Sequence, residues 1–201
     1  MSFLTVTGLV NLALREIGTY RIEDYAENSA EAILARDVYD QCRVACISAH
    51  EWSFAKRLAE LPLMTGVVPV ARFTAAFQLP GDCIRVGVVS NASTLEPVMD
   101  DQSYRIQDGT IICSEEHVFI EYIADQPVVG TWPPWFVDYV AADLASRMAS
   151  PLKSTTEAAT CKQLAEKMLG MARSRDSVQS PVIRRQQGEW TTRMLSGRNS
   201  R

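Results

Sequence analysis

The spacing of apolar residues changes twice along this chain, and that change restricts the fold more than any other feature of the sequence. Helical spacing runs through residues 5–17 and again from about 28 to 50. From 61 to 130 short apolar runs alternate with turn residues, as β-strands do, and helical spacing then returns. Strands therefore interrupt a helical unit, which predicts an α+β fold.

The same pattern predicts how the chain is divided. Residues 1–60 and 131–180 are expected to form a helical bundle of about four helices. Residues 61–130 are expected to form a small inserted antiparallel β domain. Residues 181–201 are basic, contain two glycines and hold few core residues, which is typical of an extended C-terminal arm.

Local signals indicate where the helices end. Asn28 followed by Glu31 predicts a capping box at the start of the second helix, and Ser154 with Glu157 repeats that pattern before the fourth. Pro151 is expected to close the third helix. Within the first helical pattern, the stop signal is a glycine, Gly18.

Turn residues divide the β region into about five short strands. The Asp108-Gly109 pair lies between two apolar runs and predicts a hairpin. Pro97 lacks a backbone donor, so "TLEPVM" is expected to be at most an edge strand. The segment "HVFIEYIAD" carries apolar residues on both faces, which favours a central strand.

Charge is distributed unevenly over the 201 residues. The net charge is −4, yet the stretch from Arg173 to Arg201 holds seven arginines against two acids. Such segregation indicates an interaction arm attached to an acidic body.

No apolar run reaches the ~20 residues that span a bilayer, and the N-terminus lacks the features of a signal peptide. We therefore expect a soluble protein made in a reducing cytoplasm, without membrane contact.

The cysteines predict packing rather than metal binding. Cys42 and Cys46 share a helix face, but no C-x-x-C pair exists and the chain has only two histidines. Free cysteine behaves as a small hydrophobic residue, so buried thiols are expected. We predict no metal ligand and no cofactor. The remaining cysteines are Cys83, Cys113 and Cys161.

The stretch "HEWSFAKRLAEL" at 50–61 begins like a zinc-protease signature. That signature needs a second histidine four residues after His50, where this chain has Phe54. We interpret the stretch as a helix terminus at which Trp52 and Phe54 fix the bundle to the β domain. Lys56 and Arg57 are expected to face solvent or a neighbouring subunit.

Enzyme chemistry has little support in the sequence. A Cys113–His117 pair is the best candidate for nucleophilic catalysis, but no orienting partner is evident. Neither a Gly-x-Ser-x-Gly elbow nor a phosphate-binding glycine loop is present. We predict no catalytic residue, with a small hydrolase as an open alternative.

The basic arm is expected to dock on a partner. Arginine and tryptophan are enriched at the energetic centres of protein interfaces. A solvated tail and a small nucleic-acid-binding module, in which the arginines neutralise phosphates, remain alternatives. The candidate partner-binding residues are Arg184, Arg185, Trp190, Arg193 and Arg198.

Several stretches in their order resemble one known family. Trp52, Phe54, Ala55 and Arg57 match a "W-x-F-A-x-R" pattern after a long helix. A "Leu-Pro-x-Asp-Cys" pattern follows at residues 79–83, and "VFIEYIAD" and "PPWFVDYVAADLASRMA" come later. Over roughly residues 8–195 the chain resembles the head-to-tail adaptor proteins of short-tailed bacteriophages, the tail tubular protein A family.

This resemblance implies a virion structural protein that is not an enzyme. Family members form a ring, usually of twelve copies, between the portal protein and the downstream tail (nozzle) protein. The resemblance further implies a central channel through which DNA passes without sequence-specific binding. It also implies a location at the head–tail interface of a virion, after synthesis in the host cytoplasm. The arm would then meet the portal or a neighbouring subunit, with Trp52, Phe54 and Arg57 as a structural joint.

Overall fold

A computed structural model describes residues 4–66 and 72–179 of the chain. It confirms the predicted α+β class, because these residues form four α-helices and two small antiparallel sheets of three strands each. The predicted arm at 181–201 lies outside the described residues. The helices are α1 (Val6–Ile17), α2 (Ala30–Ser48), α3 (Pro134–Leu152) and α4 (Thr155–Gln179).

The third helix lies at the centre of the helical part. Each of α1, α2 and α4 packs against α3. Eleven of the 19 residues of α3 are buried, so its burial is not confined to one narrow stripe. Alanines on α3 allow close approach, and aromatic residues at its start fill the space near the sheets. Four of these alanines are Ala141, Ala142, Ala145 and Ala149.

Two of the predicted helix-end signals are present in the structure. Gly18 follows α1 in the left-handed conformation, with φ of 71°, and its N–H donates to the Arg15 carbonyl. The Ser154 hydroxyl accepts from the Glu157 N–H at 3.4 Å, as the predicted capping box before α4 requires, and it also contacts the Glu157 carboxylate.

Two other helix ends differ from the prediction. Ser29, not Asn28, caps α2, because Ser29 is extended and its hydroxyl accepts from the Ala32 N–H at 3.2 Å. Pro151 lies inside the last turn of α3 rather than after it. The helix continues past the proline because the Lys153 N–H still donates to the Ala149 carbonyl.

The first sheet has the strand order β1-β6-β3 and the second β2-β5-β4, all pairs being antiparallel. Six strands are described where about five were predicted. The additional one, β1, starts five residues before the predicted domain boundary at 61 and replaces part of the expected helix terminus. The strands are β1 (Lys56–Glu60), β2 (Ala75–Gln78), β3 (Cys83–Ser90), β4 (Tyr104–Gln107), β5 (Thr110–Cys113) and β6 (Phe119–Ala124).

The hairpin and central-strand predictions hold. Asp108 and Gly109 join β4 to β5 with φ of 49° and 73°, the left-handed pair that a tight hairpin turn requires. The β6 strand lies between β1 and β3, as its two apolar faces predicted. The edge strand expected around Pro97 is reduced to a single bridge between Ser90 and Val98.

Buried side chains form two clusters. The larger joins all four helices with Trp52 and with Ile123 of β6. The smaller lies within the sheets and includes Phe77, Ile111 and Ile120. Since neighbouring β6 residues enter different clusters, this strand links the helical and β parts. Among the described helices, none is long and apolar enough to cross a membrane.

Candidate functional site

Residues 50–57, here called the joint segment, run from the end of α2 into the first two residues of β1. At its centre Trp52 is fully buried. The indole N–H donates to the Cys46 carbonyl at 2.9 Å, near the end of α2. The Trp52 ring lies 5.2 Å from Phe136 and 5.5 Å from Trp135, centroid to centroid. The start of α3 is therefore packed against the end of α2 through one indole ring.

Phe54 adds a second aromatic contact from the joint segment. It is half-buried in a single 3₁₀ turn at Ser53–Ala55, and its ring centroid lies 4.8 Å from that of Phe136. Together with Trp52 it places two aromatic side chains on the first turn of α3. Aromatic pairs at these spacings stabilise a fold by roughly 0.5–1.5 kcal/mol each beyond their buried area.

Arg57 is exposed, as expected, and it also forms an ion pair within the chain. Its guanidinium donates to the Asp82 carboxylate at 2.7 Å. The Tyr122 hydroxyl donates to the other oxygen of Asp82 at 3.1 Å. Burial raises the pKa of Tyr122, and the Asp82 carboxylate adds to that rise. Asp82 thereby connects β1, the start of β3 and β6.

Lys56 is partly exposed and also forms ion pairs within the chain. Its ammonium lies 3.3 Å from Glu51 and 3.0 Å from Glu121. Glu51 also approaches Arg85 at 3.7 Å. These side chains are partly exposed, and pairs of that kind contribute little stability each, about 0–1 kcal/mol.

A buried carboxylate on α4, which no local sequence pattern distinguishes, binds the joint segment. Asp176 of α4 is 1 % exposed. It accepts from the Ser53 N–H at 3.0 Å and from the Ser53 hydroxyl at 2.5 Å. The His50 ring nitrogen Nε2 lies 3.6 Å away. Nearby, the Arg173 guanidinium donates to the Ala49 carbonyl at 2.9 Å, so α4 is attached to the end of α2.

His50, Asp176 and Ser53 have the composition of a catalytic triad but not its connectivity. The Ser53 hydroxyl donates to Asp176, whereas nucleophile activation needs the serine to donate to the histidine. Burial lowers the pKa of His50 below its ordinary value of 6.5, and the Asp176 carboxylate opposes this. A neutral imidazole and a satisfied carboxylate form a structural contact between α4 and the joint segment.

Cys42, Cys46 and Asp143 form the nearest approach to a metal site among the described residues. One potential ligand atom from each lies within 4.8 Å of the others. The Cys42 thiol donates to Asp143 at 3.3 Å, and the Arg147 guanidinium donates to the same oxygen at 2.7 Å. The neighbouring Cys46 thiol and burial raise the pKa of Cys42, which favours the protonated form. Three ligands fall short of the four that a structural zinc takes.

The Cys113 and His117 side chains have separate partners. Cys113 is fully buried in the smaller cluster, and burial raises its thiol pKa. His117 is exposed, with its Nδ1 3.0 Å from the Glu60 carboxylate. The thiol is therefore inaccessible and poorly ionised, and the imidazole pairs with an acid at the surface.

The structure also contains a hollow between three helices. It encloses about 250 Å³ between α1, α3 and α4. Both charged and apolar side chains line it, without a convergent set of catalytic groups. The lining includes Leu12, Arg15, Glu16, Asp138, Leu164 and Met168.

The predicted partner-binding residues Arg184, Arg185, Trp190, Arg193 and Arg198 all lie outside the described residues. The structure places only the joint residues Trp52, Phe54 and Arg57, which it brings together with Asp82 and α3. A scan of protein-family models found no match to the chain, and a search of curated proteins found none either.

Proposed function

We propose that this chain is the head-to-tail adaptor of a short-tailed bacteriophage. Copies of it, twelve in the family that it resembles, would form a ring between the portal protein and the downstream tail protein. Duplex DNA would pass through the channel of that ring during packaging and ejection, without sequence-specific binding. The protein would act as a structural part of the virion and would catalyse no reaction.

One observation carries this proposal: three separate stretches of the family resemblance meet at Asp82. The first stretch contributes Arg57 and the second contributes Asp82 itself. The third, "VFIEYIAD", contributes Tyr122, which donates to the same carboxylate. These stretches are far apart in the sequence, and the pairing of β1 and β3 with β6 brings them together. Their meeting supports the view that the family pattern describes one local arrangement in the first sheet.

The described surface suits a protein that binds by its faces. Large apolar side chains are exposed on several different elements. Single exposed apolar residues are common on monomers, but a ring subunit needs contact points on opposite sides. Leu58 lies on β1, Ile106 on β4, and Val128 before α3. Each could contribute to contacts with a neighbouring copy, the portal or the tail.

Charge fits the proposed channel. The chain is acidic outside its C-terminal stretch, and a negative wall repels phosphates so that a duplex can slide. The arginines of the arm, in turn, are suited to an acidic face on a portal or on a second copy. We therefore assign Arg184, Arg185, Trp190 and Arg193 to partner docking, with Arg198 beside them.

The experiment compares the full chain with a chain that ends after Pro181. Each is mixed with the portal protein and imaged by negative stain. We expect the full chain to add a ring of about a dozen subunits beneath the portal, and the shortened chain to keep its circular dichroism spectrum but form no ring. Ring formation by the shortened chain would exclude the arm from docking.

A control separates the adaptor from the nucleic-acid-binding alternative. The free full chain is titrated with duplex DNA at low and high salt. An adaptor should bind weakly or not at all, whereas a module using the arginines should bind with an affinity that falls steeply as salt rises. Tight, salt-sensitive binding without ring formation would contradict the adaptor function and support the nucleic-acid-binding function.

A further inference from the structure

Within residues 4–66 and 72–179, the α2 helix is covered mainly on one side. Its inner face packs on α3, while a surface stripe runs along its outer face. Ile33 is 46 % exposed and Val44 37 % exposed, with acidic residues between them. Half-buried Leu34 and Val38 pack against the larger buried cluster. The α2 surface stripe consists of Ile33, Asp37, Asp40, Gln41 and Val44.

Acidic residues dominate the stripe and the loop that leads into it. Residues 23–40 hold six acids and one arginine, Arg36. That arginine donates to the carbonyls of Tyr25 and Glu27, so its guanidinium is engaged by the loop backbone. Asp40 is 82 % exposed despite a 3.4 Å contact to the buried Arg43. The stripe therefore presents carboxylates and apolar side chains together.

The chain beyond α4 has the complementary composition. Residues 180–201 hold five arginines against one acid, Glu189. They also hold apolar residues that the arginines flank. These are Val182, Ile183, Trp190, Met194 and Leu195. A segment of this kind matches the stripe both in charge and in apolar contact.

The end of α4 lies next to the end of α2. Asp176 is bonded to Ser53, and Arg173 is bonded to Ala49, one residue past α2. The last described residue, Gln179, is three positions further on. From Val44 back to Ile33 the stripe is about 17 Å long at 1.5 Å per residue. The 22 residues that follow Gln179 can span up to ~70 Å when extended.

We propose that residues 180–201 dock on the α2 surface stripe of their own chain in the free protein. Arg184 and Arg185 pair with Asp37 and Asp40, and Trp190 covers the apolar part near Ile33. Docking within one chain is favoured over docking on a second copy because the segment starts near the C-terminal end of α2, within reach of the stripe and at high effective concentration.

Engineered cysteines test the contact in the full chain. Gln41→Cys on the stripe is combined with Gln187→Cys in the arm, and disulfide formation is followed by non-reducing electrophoresis. The matched control combines Gln187→Cys with Gln163→Cys, an exposed position on α4. We expect an intramolecular disulfide at 41–187 that forms about tenfold faster than at 163–187, as docking raises the effective concentration of one thiol near the other.

Exchanging the charges of the stripe and the arm tests whether their ion pairs cause the faster disulfide formation. Asp37→Arg with Asp40→Arg should reduce the rate ratio between the two pairs to about one, and Arg184→Asp with Arg185→Asp in the same chain should restore it. Equal rates in the starting pairs would overturn the proposal. Covalent dimers instead of the internal disulfide would also overturn it, since the occupant would then be a second copy. The placement is independent of the adaptor role, because only the free chain is measured.

Discussion

The Ser53 hydroxyl donates to the buried Asp176 carboxylate across 2.5 Å and thereby ties the last turns of α4 to the turn between α2 and β1. The two residues are 123 positions apart in the sequence. The same carboxylate also accepts from the Ser53 N–H. One side chain thus satisfies two donors of a 3₁₀ turn that has no other side-chain cap.

Replacing Asp176 tests how much this contact stabilises the fold. Asp176→Ala should lower the free energy of unfolding by about 1–3 kcal/mol, because the Ser53 donors lose their acceptor. Asp176→Asn keeps one acceptor oxygen and should cost less. Urea denaturation measures both. Glu166→Ala, at an exposed position of α4, is the control and should stay within about 0.5 kcal/mol of the parent chain. Equal stability of Asp176→Ala and the control would contradict this role.

His50 should make stability depend on pH in the mildly acidic range. Burial lowers its folded-state pKa below 6.5, so the unfolded chain binds a proton more readily than the folded chain. The contribution is present above pH 6.5 and is lost as pH falls through the folded-state pKa. NMR titration of the His50 ring should give a midpoint below the ordinary histidine value of 6.5. Asp176→Asn should lower the midpoint further, because the carboxylate opposes the effect of burial. A midpoint above 6.5 would show that Asp176 outweighs burial.

Trp52 should be the most sensitive residue of the joint segment. Trp52→Ala removes a fully buried ring and should cost about 3–5 kcal/mol of unfolding free energy. Trp52→Phe leaves the Cys46 carbonyl without its indole donor. Because it keeps part of the packing, it should cost less unfolding free energy than Trp52→Ala. Thermal and urea unfolding measure both. Half-buried Phe54→Ala provides the comparison and should cost less than Trp52→Ala. If Trp52→Ala leaves the unfolding free energy nearly unchanged, Trp52 contributes to an interface rather than to the core.

The Arg57–Asp82 pair should couple weakly and respond to salt. Its side chains are 49 % and 35 % exposed, so solvent screens the pair. A double-mutant cycle of Arg57→Met and Asp82→Asn should give a coupling of about 0.5 kcal/mol at low salt and almost none at 1 M. Coupling that persists at 1 M salt would contradict solvent screening of this pair.

Two glycines should respond to alanine in opposite directions. Gly18→Ala places a side chain at φ of 71° and should destabilise by about 1 kcal/mol. Gly170 lies inside α4 with no atom within 4 Å of an added Cβ, so Gly170→Ala should stabilise by about 0.5–1 kcal/mol. The thermal midpoints of the two variants should bracket that of the parent chain. A shift of both in one direction would contradict the assigned backbone conformations.

Local signals in the sequence predict most of the secondary structure. The periodicity locates all four helices, and Asp108-Gly109 locates the hairpin, because each depends on residues close in sequence. The β1 strand was missed because "KRLAE" lacks the alternation of a strand and gains its shape from pairing with β6. The capping residue of α2 was misplaced by one position for a similar reason: Asn28 and Ser29 both suit a cap.

The candidate site was predictable only in its aromatic half. Trp52 and Phe54 are conspicuous after a helical pattern, and aromatic residues there indicate packing. Asp176 resembles any other acid on an amphipathic helix, and nothing local distinguishes it from exposed Glu166. Its role arises from Ser53, which folding brings to it from the other half of the chain.

The central position of α3 has a consequence for how the protein is made. Both α1 and α2 pack on a helix that begins at Pro134, more than 85 residues after α2 ends. During synthesis on the ribosome, the apolar faces of α1 and α2 cannot be buried until α3 has emerged. The helical core therefore forms only after the β segment has been synthesised. High contact order of this kind slows folding, although helices usually fold fast. Chaperone contact with residues 6–48 during synthesis is the expected result of this order of appearance.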